Sequence, residues 1–335
     1  MRIAVLAPVA WRTPPRHYGP WEQIASNLTE GLVSSGFDVT LFATGDSLTT
    51  AKLDFVAQRG YEEDKEQDAK VLECLHISNL MEKASRFDII HNHFDFLPLT
   101  WSRLIAPPMI TTIHGFSSHK IVPVFKKYNK TSHYISISNA DRSRELDYLA
   151  TVYNGINTAE FTFNNTPEDY LLYFGRIHHD KGTAEAIQIA LSAKRRLIIA
   201  GIIQDNNYYE TRVKPYLGDQ IQFIGSAGPE ERNMLMGNAS ALLHPINFKE
   251  PFGMSVAEAM LCGTPVIAFN KGSMPELIKH EETGFLANSL DEAIVAVAEI
   301  PKINRAACHN WAASRFSKEK MISDYIDAYQ KVLKN

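Results

Sequence analysis

Two carboxylates, Glu250 and Glu258, stand eight positions apart in the stretch KEPFGMSVAEAMLCGTPVIAF, residues 249–269. A helix starting near Gly253 would leave the amides of Gly253, Met254 and Ser255 without intrahelical acceptors. Such a terminus is a ready anion site, and glycine at its mouth lets a phosphate approach the backbone closely. A carboxylate accepts hydrogen bonds from neighbouring hydroxyls. One carboxylate before the helix and one inside it therefore suit a sugar nucleotide, with a sugar at one end and a ribose at the other. Either glutamate alone reads more simply as a solvated charge. It is the whole string that points to a ligand.

The elements that must position these groups follow from periodicity. Short apolar runs alternate with amphipathic stretches, twice over. In the first half IAVLAP, DVTLFAT, FDIIHNH, MITTIH and HYISIS read as strands, and PWEQIASNLTEGLVSSG as a helix with Ile24, Leu28 and Leu32 on one stripe. The strands are continuous apolar runs, the mark of a parallel sheet covered on both faces. Pattern is lost in VYNGINTAEFTFNNTPEDY, the linker candidate. It restarts with YLLYFG, RRLIIAG, IQFIG, ASALLHP, TPVIAF and GFLA as strands and helices between them. The expected fold is α/β, two doubly wound Rossmann-like domains facing each other across a cleft. Residues 1–160 are expected to form the first domain, 161–316 the second, and 317–335 a final helix returning to the first.

Composition excludes several classes. A length of 335 residues suits two domains, and 45% hydrophobic with 21% charged residues is ordinary for a globular chain. A net charge of −4 advertises neither nucleic acid nor an anionic membrane. Cys74, Cys262 and Cys308 lack metal or disulfide spacing and read as reduced thiols in a cytoplasmic protein. The opening MRIAVLAPVAW reads as a buried strand and not as a signal peptide, and no run is long enough to span a bilayer. The chain has no G-x-G, no P-loop, no G-x-S-x-G and no D-x-D. His91, His93 and Asp95, in HNHFD, are the one cluster that looks like metal ligands, and we read them as polar lining of the cleft. No metal or other cofactor is expected.

The string EPFGMSVAEAMLCGTPVIAFNKGSMPELI resembles the E-x7-E signature of the retaining glycosyltransferases of family 4, which have the GT-B fold. YFGRIHHDKG is similar to the stretch in which that family's Arg and Lys hold the donor diphosphate, here Arg176 and Lys181. The linker VYNGINTAEF resembles the family's N-G-[VI]-D, with Asn157 in place of Asp. RHYGPWE corresponds to its glycine-rich loop, with Gly19-Pro20 where Gly-Gly is frequent. The resemblance implies that Glu258 holds the ribose, Glu250 the transferred sugar, and the Met254 and Ser255 amides the phosphate. Phe252, Gly253, Gly225, Ser226 and Gly19 complete the donor set. His114, in TTIHG, matches the histidine near the reacting carbon. The catalytic set is thus His114, Arg176, Lys181 and Glu250.

The implied reaction moves a glucose-like or other hexose from a nucleoside diphosphate sugar, UDP being the expected base, to a sugar or other small hydroxyl acceptor. The anomeric configuration is kept and no metal is required. Acceptor contacts are expected from His17, Tyr18, Trp21, His93, Phe94 and His119, with Trp11 and Phe96 nearby. The rivals are a GT-B epimerase or phosphorylase and a non-catalytic sugar-nucleotide-binding module. A phosphorylase of the glycogen type would need a pyridoxal lysine, for which no segment matches.

Overall fold

The structure, a computed structural model, describes residues 1–16, 19–116 and 118–334. The chain divides into two compact units, Met1–Gly155 with Lys318–Asn335, and Ile156–Ser317.

The first unit is built on seven parallel strands: β1 Arg2–Leu6, β2 Asp38–Phe42, β3 Lys52–Asp54, β4 Ile89–Asn92, β5 Met109–Ile113, β6 His133–Ser136 and β7 Tyr148–Thr151. Their order is β3-β2-β1-β4-β5-β6-β7. β1 beyond Arg2 and the whole of β5 are buried because both faces are covered. Two of the buried polar residues, His91 on β4 and Thr112 on β5, find partners on the last helix, Lys318–Lys334. His91 Nδ1 meets the Tyr329 hydroxyl at 2.6 Å, His91 Nε2 meets Thr112 Oγ1 at 2.8 Å, and Thr112 Oγ1 meets the Tyr325 hydroxyl at 2.9 Å. That helix also buries Met321, Ile322, Tyr325, Ala328, Tyr329 and Val332, a stripe of helical period. Ile322 fills the space a side chain at Gly31 would need.

The second unit has six parallel strands: β8 Tyr170–Phe174, β9 Arg196–Ala200, β10 Ile221–Gly225, β11 Ala241–His244, β12 Val266–Phe269 and β13 Gly284–Ala287. Their order is β10-β9-β8-β11-β12-β13. Each sheet therefore reverses its strand order once, between β1 and β4 and between β8 and β11. At such a switch point the two connections leave toward opposite faces and open a crevice at the carboxyl ends of the strands.

Sequence periodicity anticipates eleven of these strands and omits two edge strands, β3 and β7. β3 is three residues long, and β7 joins β6 with a register shift, so neither displays a repeat. The chain passes between units at 155/156 and 317/318, where Ile156 N donates to Phe316 O at 2.8 Å. No helix among the described residues is long and apolar enough to cross a membrane.

Candidate functional site

In the second unit the two switch-point loops, 175–182 after β8 and 245–253 after β11, are sewn together. The Asn247 amide donates to Asp180 O at 2.9 Å. Gly182 adopts φ 72°, and a Cβ there would run into the Pro245 carbonyl, so only glycine permits this approach. The consequence is a close pair: Lys181 Nζ lies 2.6 Å from Glu250 Oε2, with side chains only 16% and 14% exposed. The Lys181 ammonium also sits 4.5 Å above the Phe248 ring. Arg176, in the same loop, donates to Gln204 Oε1. The far side of the 245–253 loop is held by Ser273, whose amide bonds Glu250 O at 3.0 Å and whose hydroxyl bonds Phe252 O at 2.6 Å.

Gly253, at φ 95°, caps the helix Met254–Leu261 without a side-chain hydrogen bond. The amides of Met254 and Ser255 thus belong to a first turn that no side chain of this cap satisfies. Glu258, one turn further, is 7% exposed. Burial raises its pKa, opposed by Arg232, whose Nη1 lies 3.2 Å from Glu258 Oε1. Arg232 also reaches Glu160 at 3.3 Å and covers the Phe161 ring at 4.9 Å. Gly225 ends β10, the edge strand two places from β8, and Ser226 follows it. Phe252 does not offer its ring as a ligand surface: it is 2% exposed and packs edge-on against Phe316 at 5.7 Å.

The first unit has its own cavity, of about 460 Å³, at the β1/β4 switch point. Trp11, Gly19 and Trp21 come from the segment after β1, and Phe94, Asp95 and Phe96 from the turn after β4. Gly19, at φ 156°, precedes the helix Pro20–Ser34, with Pro20 in its first turn. Trp21 joins this cavity to His114, stacking on its ring at 5.4 Å and 20°. His114 Nε2 meets His93 Nδ1 at 2.9 Å, and burial pushes the His114 pKa down to about 3, so the imidazole is neutral. His114 Nδ1 has no hydrogen-bond partner among the described atoms.

Several sequence expectations change here. His93, expected to touch an acceptor, is fully buried at 0% and holds His114. His119 is exposed and does not line the cavity. His17 and Tyr18 lie outside the described residues. Of His91, His93 and Asp95, expected as polar lining, Asp95 does line the cavity, whereas His91 is buried against Tyr329 and Thr112 and His93 against His114. The group of metal-ligand type among the described residues is His178, His179 and Asp205, with ligand atoms within 4.8 Å of one another. Sequence reasoning missed Arg232, Glu22 and His244. His244 ends β11 and is buried, its pKa pushed down to about 4, and its Nε2 lacks a partner among the described atoms. Its place at the carboxyl end of a strand was the available signal.

Comparison with known proteins agrees with this architecture. Residues 157–312 match the family "Glycosyl transferases group 1", and residues 22–160 match "Glycosyltransferase Family 4". An uncharacterized glycosyltransferase of Methanocaldococcus jannaschii is 25% identical over 333 residues, covering 85% of this chain and 84% of its own length. The glycogen synthase of Mycobacterium tuberculosis is 24% identical over 384 residues, covering 97% and 91%. Among solved structures, Anabaena Alr3699/HepE in complex with UDP and glucose superposes with a TM-score of 0.74 at 18% identity, covering 98% of this chain and 99% of that one. With these matches and two doubly wound parallel sheets, the chain belongs to the group 1, family 4 glycosyltransferases and has the GT-B fold.

Proposed function

We propose that this glycosyltransferase is a retaining hexosyltransferase using a nucleoside diphosphate sugar, with UDP-glucose as the donor to test first. The observation that carries the reading is the convergence at the β8/β11 switch point. One crevice edge presents Arg176 and Lys181, the other Glu250 and the open first turn after Gly253. Cations and amides in one place suit a diphosphate, and a half-buried carboxylate beside them suits sugar hydroxyls. Glu258, buried further along the helix, suits the ribose. The choice of UDP-glucose draws on the bound UDP and glucose named for the Anabaena protein. Retention draws on the E-x7-E resemblance.

In this mechanism the bond between the anomeric carbon and the diphosphate oxygen breaks first. Negative charge collects on the departing diphosphate. Lys181, Arg176 and the Met254 and Ser255 amides stabilise that charge as it develops, without a metal ion being needed. The acceptor hydroxyl attacks from the face the diphosphate leaves, and its proton passes to a diphosphate oxygen. In the free protein Glu250 neutralises Lys181. Donor binding therefore exchanges one partner of Lys181 for another and releases Glu250 to the sugar. The first unit supplies the acceptor cavity and the neutral His114 beside it. The unpaired thiols fit action in the cytoplasm. Incubation with UDP-glucose and a panel of sugars, with product anomers read by NMR, tests the reading. An α-linked glucoside is the expected product; an inverted product, or no consumption of any nucleotide sugar, would defeat it.

A further inference from the structure

We propose that the cavity of the first unit is a charge filter for the acceptor, admitting a sugar ring with free hydroxyls and rejecting rings that carry phosphate or carboxylate. The proposal rests on the transferase reading above and deepens it by naming the acceptor class.

Three carboxylates line this one cavity: Glu22 from the helix Pro20–Ser34, Glu73 from the helix Ala69–Met81, and Asp95 from the turn after β4. No Lys, Arg or His stands among the described lining residues. None of the three acids has an ion-pair partner among the described residues. Glu22 is 4% exposed and, among the described residues, accepts backbone amides, its own and that of Trp11. Glu73 Oε1 accepts the Tyr61 hydroxyl at 3.3 Å. Desolvation without a compensating cation pushes the pKa of Glu22 and of Asp95 up to about 7 and raises that of Glu73.

The placement of Asp95 is enforced by the backbone. Its φ is 76°, a left-handed value uncommon outside glycine. Asn92 holds the turn at both ends, its Nδ2 donating to Asp95 O at 2.7 Å and its Oδ1 accepting the Phe94 amide at 2.8 Å. Strain maintained by its surroundings is a mark of a functional position. The wall also carries the aromatic rings of Trp11, Trp21 and Phe96. Flat apolar faces with convergent hydroxyl acceptors are what a sugar ring needs. Above about pH 7, where Glu22 and Asp95 are ionised, the same acids in a confined space of low polarity would stand against an added anion. Trp21 ties the filter to His114, since it both lines the cavity and stacks on that ring.

The test uses the full chain at about pH 8, where the acids are ionised, with UDP in excess so that anions cannot report from the Arg176–Lys181 site. Ligand-observed NMR compares matched pairs, methyl glucoside with glucuronate and mannose with mannose 6-phosphate. The expected result is binding of the neutral member and at least about tenfold weaker binding of its anionic twin. In the Glu73→Gln/Asp95→Asn double variant the gap should shrink to about threefold or less; asparagine tolerates the left-handed backbone at position 95. Tighter or equal binding of the anionic twin by the unmodified protein overturns the proposal, and so does binding of neither member of either pair. UDP binding in the same samples is read independently. Its loss would refute the transferase reading while the sugar pairs still decide the filter.

Discussion

Replacing Lys181 with methionine removes a cation 2.6 Å from Glu250 Oε2 in a pair whose side chains are 16% and 14% exposed. Methionine keeps most of the stem packed over Phe248, so the change is mainly one of charge. The stranded Glu250 carboxylate then bears its desolvation alone. Breaking a fully buried pair costs about 3–5 kcal/mol, and this partial exposure brings the figure nearer 2 kcal/mol. The Lys181→Met/Glu250→Gln double variant strands no charge and should recover to within about 1 kcal/mol of the unmodified protein. Nucleotide affinity should behave differently. A charge-assisted contact to diphosphate is worth about 1.5–3 kcal/mol, or roughly a 10- to 150-fold loss of UDP affinity. That loss should persist in the double variant, because neither variant restores a cation. Urea denaturation reads the stabilities and titration calorimetry reads UDP. The reasoning is refuted if Lys181→Met binds UDP like the unmodified protein, or if the double variant regains affinity along with stability.

Arg305, buried in the second unit, donates to the carbonyls of Asn164, Gly237 and Ala239 and to Thr264 Oγ1 at 2.6–2.9 Å; Arg305→Met should cost about 3–5 kcal/mol in denaturant unfolding, since four acceptors lose their donor together. Tyr329→Phe removes the hydroxyl 2.6 Å from His91 Nδ1 and should cost about 1–3 kcal/mol, read on the first unit's unfolding transition. His76 is buried with Nε2 3.0 Å from Ala7 O, and its pKa falls from 6.5 to about 4. Between those values the unfolded chain binds the proton and the folded chain does not, so this residue removes stability as pH falls from 6.5 toward 4. His76→Leu lacks that loss. The variant should gain about 2 kcal/mol on the unmodified protein between about pH 7.5 and pH 5 in paired urea titrations.

What could be read from sequence was local. Arg176, Lys181, Glu250 and Gly253 each sit within a strand–loop–helix turn, and the alternation of strands fixes which turns share an end of the sheet. Gly182 is glycine because the neighbouring loop occupies the place of a side chain. The unread parts are contacts between elements far apart along the chain. Arg232 and Glu258 meet across two helices, and no periodicity says which faces adjoin. Glu22, Glu73 and Asp95 reach one cavity from three elements. Phe252 stands inside a signature string, yet its ring is a core residue, because Phe316 closes over it. His93 was expected to touch an acceptor at a strand end and is instead buried as the support for another histidine.

The account stands on the crevice between β8 and β11 taking a diphosphate. Crystals grown with UDP-glucose address this most directly. The account predicts β-phosphate oxygens within hydrogen-bond reach of the Met254 and Ser255 amides, with Lys181 turned from Glu250 to the phosphate. Nucleotide bound elsewhere, with the Lys181–Glu250 pair intact, would contradict it.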